Sequence, residues 1–205
     1  MRRTFIAGSL ILLILPLLAP CSLADVSEIA GRCEECHGTD GVSTESDVPI
    51  IAGMSAFVIE DYLLAYRDRA RVCHETKYRS GDLDRPATSM CEIADKLSED
   101  EMTAIAEHYS ERPFVPAKQE FDEQKAKAGA SIHRRGCEKC HTDNASNPED
   151  DSGIMAGQWI PYLRQVFKDF SSGERKMAED KMRQKFERLS EEDKDDLINF
   201  YGSLQ

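Results

Sequence analysis

Cys137-Glu138-Lys139-Cys140-His141 is the stretch on which the reading of this chain turns. An earlier copy, Cys33-Glu34-Glu35-Cys36-His37, stands at a constant offset of 104 residues. C-x-x-C-H is the attachment signature of c-type haem. The chemistry sets the spacing. Two thiols must reach the two vinyl groups on one porphyrin edge, and the histidine that follows must swing onto the iron as proximal ligand. A thioredoxin-like pair or half of a zinc site gives no reason for an immediately following histidine. Both pairs have one, so the sequence predicts two covalently bound haem c groups. Cys33, Cys36, Cys137 and Cys140 are the attachment points, and His37 and His141 the proximal ligands.

Composition places this chemistry outside the cytoplasm. Residues 1–24 read as a Sec-type signal peptide: Arg2 and Arg3, an apolar run from Phe5 to Leu18, then Ser22-Leu23-Ala24 before Asp25. The run contains Pro16 and is short for a bilayer span, and no later stretch is long and apolar enough for one. Cys21 suggests a lipid anchor, but Pro20 before it fits that motif poorly. A periplasmic location is therefore expected. Cleavage leaves 24 basic and 38 acidic residues, a formal charge of −14. Such a surface argues against nucleic acid and anionic membrane, and favours a soluble electron donor or acceptor with a basic patch. It also leaves two cysteines outside the motifs, Cys73 and Cys91. In an oxidising compartment they are a candidate disulfide, worth on the order of 3 kcal/mol for the short loop closed.

The two halves are a repeat. The offset of 104 carries Ala52-Gly53 onto Ala156-Gly157 and Tyr66 onto Phe170. Further on it becomes 92, carrying Met90 onto Met182, Leu97-Ser98 onto Leu189-Ser190, and Tyr109 onto Tyr201. The first half thus has twelve extra residues between its motif histidine and its methionine, in the region of Cys73 and the polar stretch Arg79 to Pro86. The fold class expected is all-α. A helix leads into each motif, the second running from about Gln119 to Arg135. Others cover Ala56 to Arg69 and Ile160 to Phe170, and loops bear the methionines. The last helix of each half opens on Ser98 with Glu101, or on Ser190 with the shorter and weaker Asp193. Ile105, Ala106 and Tyr109, like Leu197, Ile198 and Tyr201, form a stripe facing the first helix of the same half. Nothing alternates as strand. Arg112-Pro113-Phe114-Val115-Pro116 breaks helix, so the domains expected are 25–112 and 119–205, joined by a linker at 113–118.

A thioether opposite the histidine closes the iron and raises its potential. Met90 and Met182 are the candidates, each seven residues before the matched Leu-Ser. Met102 and Met177 compete without a repeat partner, and His74, His108 and His133 offer bis-histidine ligation on the same weaker footing. Trp159 packs within the chain or meets a partner, and Glu149-Asp150-Asp151 is a solvated loop or a docking patch. No carboxylate pair, Ser/His/Asp set or phosphate-binding glycine loop suggests bond-making catalysis.

With these positions in place the chain resembles the dihaem cytochrome c4-type family, and within it the cytochrome subunit of flavocytochrome c sulfide dehydrogenase. The closer likeness rests on Pro116-Ala117-Lys118-Gln119, Phe121-Asp122, Ala156-Gly157-Gln158-Trp159, Pro161-Tyr162-Leu163, Asp169-Phe170 and Lys181-Met182. The resemblance implies two tandem cytochrome c-like domains related by pseudo-twofold symmetry. It also implies an FAD-containing flavoprotein partner that oxidises sulfide. The Cys73 insertion departs from that pattern. Two alternatives stand beside it: a free-standing dihaem carrier feeding a terminal oxidase or other periplasmic enzyme, and a dihaem peroxidase or thiosulfate-oxidising cytochrome. The second needs an open or unusually ligated iron.

Halves of about ninety residues, in a chain that is 31% charged, are marginal without the apolar body of a haem. Replacing both attachment cysteines of a half by alanine should therefore abolish most of that half's helicity, as read by circular dichroism.

Overall fold

The computed structural model describes residues 23–150, 152–177 and 179–205. The expected signal peptide at 1–24 lies almost wholly outside them. The described chain is helical apart from one two-residue ribbon: α1 (Leu23–His37), α2 (Ala56–Arg67), β1 (Glu75–Thr76), β2 (Thr88–Ser89), α3 (Met90–Ala94) and α4 (Glu99–Ser110) form the first half. The second contains α5 (Glu123–Gly136), the short turn α6 (Thr142–Ala145), α7 (Ile160–Ser172), α8 (Asp180–Phe186) and α9 (Glu191–Ser203).

Local chemistry explains the boundaries, including those that differ from expectation. Asp122 accepts hydrogen bonds from the amides of Gln124 and Lys125, so α5 starts at Glu123 rather than near Gln119. α2 stops at Arg67 because Arg69 takes φ 59°, outside the helical region. α7 runs on to Ser172 and ends on Gly173 in the left-handed conformation. The Ser190 cap is not weaker in kind than its partner. Asp193 reaches back to the Ser190 amide at 2.9 Å, as Glu101 does to Ser98 at 2.7 Å, and both capping boxes are complete. The ribbon β1–β2 pairs Glu75 with Ser89 and Thr76 with Thr88, inside the region of the extra residues, where no strand was expected. Two residues per strand are too few for alternation to register.

Each half closes on its own core. One gathers Ile29, Val58, Leu63, Met102, Ile105 and Tyr109; the other gathers Leu163, Phe167, Phe186, Leu197, Phe200 and Tyr201. The predicted stripe on α4 packs on α1, where the Tyr109 hydroxyl donates to the carbonyl of Ala30 at 3.2 Å. α5 and α9 pack closely at Gly129, where a Cβ would collide with the carbonyl of Asp196. The repeat extends to single backbone bonds. The amides of Ile51 and Ala52 donate to Gly41, and those of Met155 and Ala156 to Ala145. Gly53 and Gly157, at φ 72° and 73°, donate to the carbonyls of Tyr109 and Tyr201. A Cβ on either would press within 3 Å of the connecting segment, on Phe114 or Pro116, so only glycine fits.

Residues 113–122 carry no helix or strand and run across the junction of the halves. There Ile50, Ala52 and Ala117 form a small third core with Phe114 and Trp159 against it. Gln158 is fully buried, and its side-chain amide satisfies both backbone groups of Ile50: the Ile50 N–H donates to Oε1 at 3.1 Å and Nε2 donates to the Ile50 carbonyl at 2.6 Å. The Trp159 indole donates to the Ser43 carbonyl at 3.0 Å, so this tryptophan holds the other half of its own chain. Gln119 completes the joint by donating to the Gln158 carbonyl and accepting from Ile160.

Gln158→Ala strands a buried N–H and a buried C=O at once. At about 1–3 kcal/mol for each unmet group, it should cost roughly 2–6 kcal/mol, read as a lowered denaturant midpoint.

Candidate functional site

A cavity of about 480 Å³ opens in the first half against the second. Cys33, Cys36, His37, Met54, Met90 and Tyr109 all line it, so the residues of the first motif and its candidate methionine share one space. α1 carries the motif to its last residue, whereas α5 stops at Gly136, one residue before Cys137. His37 is buried, and its Nδ1 lies 2.9 Å from the carbonyl of Pro49. A carbonyl can only accept, so Nδ1 bears the proton and Nε2 keeps its lone pair. Burial, only partly offset by the Pro49 bond, holds the imidazole below the usual histidine range and so favours the neutral form that binds metal. Burial also pushes the Cys33 thiol up to about 11. That suits a neutral sulfur and disfavours the thiolate a zinc or thioredoxin-like site needs.

His141 is supported differently. Pro49 maps under the offset onto Gly153, and His141 Nδ1 instead meets the hydroxyl of Ser152 at 3.2 Å. Its imidazole is held low by burial and then by His133. The amide of Gly153 is used elsewhere, donating to the Tyr62 hydroxyl of the other half at 3.1 Å.

The methionines do not sit in loops. Met90 opens α3, and Met182 lies in the first turn of α8. α3 forms because Ser89 and Glu92 make a full capping box, a third one that the sequence reading passed over. Met102 is completely buried in the first core and is absent from the cavity wall, so it does not compete with Met90. Met177 and Met182 both pack, half-buried, against the second core. The three unpaired histidines all have protein partners. His74 Nε2 lies 2.9 Å from Asp169 of the second half, and His108 meets Arg112. His133, offered by the sequence as a bis-histidine ligand, is fully buried between the Tyr201 hydroxyl, at 3.0 Å, and the carboxylate of Glu138.

Cys73 and Cys91 are disulfide-bonded, 18 residues apart, which ties the extra segment to the turn that presents Met90. That segment folds over the first motif. The amides of Arg79 and Ser80 donate to the Glu35 carbonyl, and Arg85 pairs with the Glu35 carboxylate at 2.8 Å. Cys36 is half-covered as a result, while Cys140 is exposed. Among the described residues no helix is long and apolar enough to cross a membrane.

The arrangement has relatives. No family model matches the chain. It is 28% identical over 163 residues to cytochrome c4 of Azotobacter vinelandii, covering 75% of this chain and 74% of that protein. It is 35% identical over 80 residues to cytochrome c-554(548) of Halomonas halodenitrificans, covering 39% of this chain and 83% of that one. Among solved structures, reduced cytochrome c4 from Pseudomonas stutzeri superposes with a TM-score of 0.69 at 25% identity, over 88% of this chain and 99% of that one. Cytochrome c4 of Acidithiobacillus ferrooxidans gives 0.66 at 25%, over 85% and 99%. A thiosulfate dehydrogenase (TsdBA) of Marichromatium purpuratum shares the fold at 18% identity, with a TM-score of 0.67 over 83% of this chain and 36% of that one.

Replacing Cys73 and Cys91 by serine should lower the first half's stability by up to about 3 kcal/mol, read from the denaturant midpoint. The second half should hold its own midpoint.

Proposed function

We propose that this chain, a c-type cytochrome similar over most of its length to the dihaem cytochromes c4, is a periplasmic carrier of two covalently bound haem c groups that shuttles electrons between a redox enzyme and an acceptor. The observation that carries this reading is the cavity wall on which Cys33, Cys36, His37 and Met90 come together, repeated in sequence by Cys137, Cys140, His141 and Met182. Haem supplies a one-electron couple at iron. The protein's part is to bind, orient and enclose it. Cys33 and Cys36, and Cys137 and Cys140, would bond the two rings as thioethers. His37 and His141, each held toward the neutral form by burial and oriented through Nδ1, would be the histidine ligands to the iron. Met90 and Met182 would supply the thioether ligands, a pairing that suits electron transfer and resists small ligands.

The carrier reading is supported by cytochrome c4 relatives whose match spans most of both proteins. A second reading, the electron-accepting subunit of a sulfide-oxidising flavocytochrome with an FAD flavoprotein partner, is supported by the closer likeness of sequence. Yet Gln158 and Trp159, which carry much of that likeness, are occupied in holding the two halves of this chain together, and Gln119 in bracing Gln158 and Ile160 within the second half. They therefore speak for a shared dihaem architecture rather than for a flavoprotein. The excess of 38 acidic over 26 basic residues suits a partner with a basic patch.

Met90→Ala and Met182→Ala should each remove about half of the long-wavelength charge-transfer absorption of the oxidised protein and open one iron to carbon monoxide. Unchanged spectra in both would end the His/Met assignment. Purification at low salt separates the partner readings: co-elution with a flavin-containing chain supports the flavocytochrome, and elution alone with both haems reducible supports the free carrier.

A further inference from the structure

Arg71 follows α2 and is only 7% exposed, on the wall of the first-half cavity. Its guanidinium lies 3.8 Å from the ring centre of Tyr62 and 4.9 Å from that of Tyr66. Its Nε and Nη1 are buried and have no hydrogen-bond partner. Arg79, Arg85 and Arg112 each also have one buried nitrogen without a hydrogen bond, but each has a carboxylate in ion-pair range: Glu45 and Asp47, Glu35, and Asp40. Arg71 has none among the described residues.

A second arginine reaches the same cavity from the other half. Arg175 lines it, 4.3 Å from the ring centre of Phe170 and 5.7 Å from that of Tyr62, and among the described residues it too makes no ion pair. The two are repeat partners. The offset of 104 maps Arg71 onto Arg175, Tyr66 onto Phe170, and Ala65 onto Asp169. In each half the arginine amide donates to the carbonyl of that last residue, Ala65 at 3.1 Å and Asp169 at 3.0 Å. Duplication has thus brought two guanidiniums to one enclosed place.

Two like charges withdrawn from water are costly without an anion between them. Burial, and then Arg71 itself, hold Arg175 below the usual arginine range. The carboxylates on the cavity wall do not serve. Asp47 is bound by Arg79, Asp169 by His74 and Gln165, and Glu75 is exposed. A haem bonded to Cys33 and Cys36 would bring two carboxylates, its propionates, and guanidinium is the side chain whose planar fork matches a carboxylate.

We propose that Arg71 and Arg175 together receive the propionate carboxylates of the haem in the first half, so that a residue of the second half sets the potential of the first haem. This rests on the haem assignment above. A nearby positive charge stabilises the reduced iron and keeps the propionates ionised.

The test is spectroelectrochemistry of the whole protein carrying both haems, from pH 5 to 8. Arg71→Gln, Arg175→Gln and Arg175→Lys are compared with the parent, and the first haem is identified as the one whose charge-transfer band Met90→Ala removes. Both glutamine variants should lower the potential of the first haem and give it a falling slope with pH, as a propionate begins to titrate in range. Arg175→Lys should restore most of the parent potential. If Arg71→Gln does not accumulate, Arg175→Gln carries the test alone. A first-haem potential and pH slope unmoved by Arg175→Gln, or a shift confined to the second haem, overturns the inference. A parent protein with fewer than two covalent haems, counted by its alkaline pyridine spectrum, would overturn the carrier reading itself.

Discussion

The side-chain amide of Gln158, closed on both backbone groups of Ile50, is the contact from which the rest of the assembly follows. A fully buried amide with two matched partners tolerates one geometry, because any slip leaves at least two polar groups unmet away from water. It sits where Trp159, Gln119 and the prolines of the connecting segment converge. With the halves held in that relation, Tyr62 meets Gly153, His74 meets Asp169, and Arg71 and Arg175 reach a common cavity. Two haem modules joined by a loose tether would share none of these contacts.

The repeat has kept its frame and changed its details. Both capping boxes, both tyrosines that accept a glycine amide at their carbonyls, and both tight turns after the motifs persist. The motif histidines do not have the same support, a carbonyl in one half and a serine hydroxyl in the other. The extra segment covers the first motif, while the second keeps an exposed cysteine. These differences give the two motifs of one polypeptide inequivalent surroundings.

Legibility varied with the range of the interaction involved. Helices with apolar stripes and Ser-x-x-Glu caps could be read, because a cap and a stripe are decided within a few residues. The short helices bearing Met90 and Met182 were read as loops: five and seven residues offer little periodicity, and Ser89 with Glu92 stands beside a cysteine and a polar run. The burial of His133 was not legible, since nothing local places Tyr201 over it. Arg71 and Arg175 passed unnoticed, although the offset that relates the two motifs also relates them. An arginine in a polar stretch carries no mark of burial until its neighbours across the junction are known.

By itself the sequence determined the chemistry, the duplication and the helical class. Thiol and imidazole spacing is imposed by the porphyrin, and a repeat is visible as a repeat whatever its fold. Only the tertiary structure decided how the two copies meet: which glutamine is sealed between them, which histidine is buried, and which arginines are left facing a cavity without a counter-ion. Those outcomes depend on contacts between residues about a hundred positions apart, and the free energy of such contacts comes from exclusion of water by both partners at once. No local pattern encodes it.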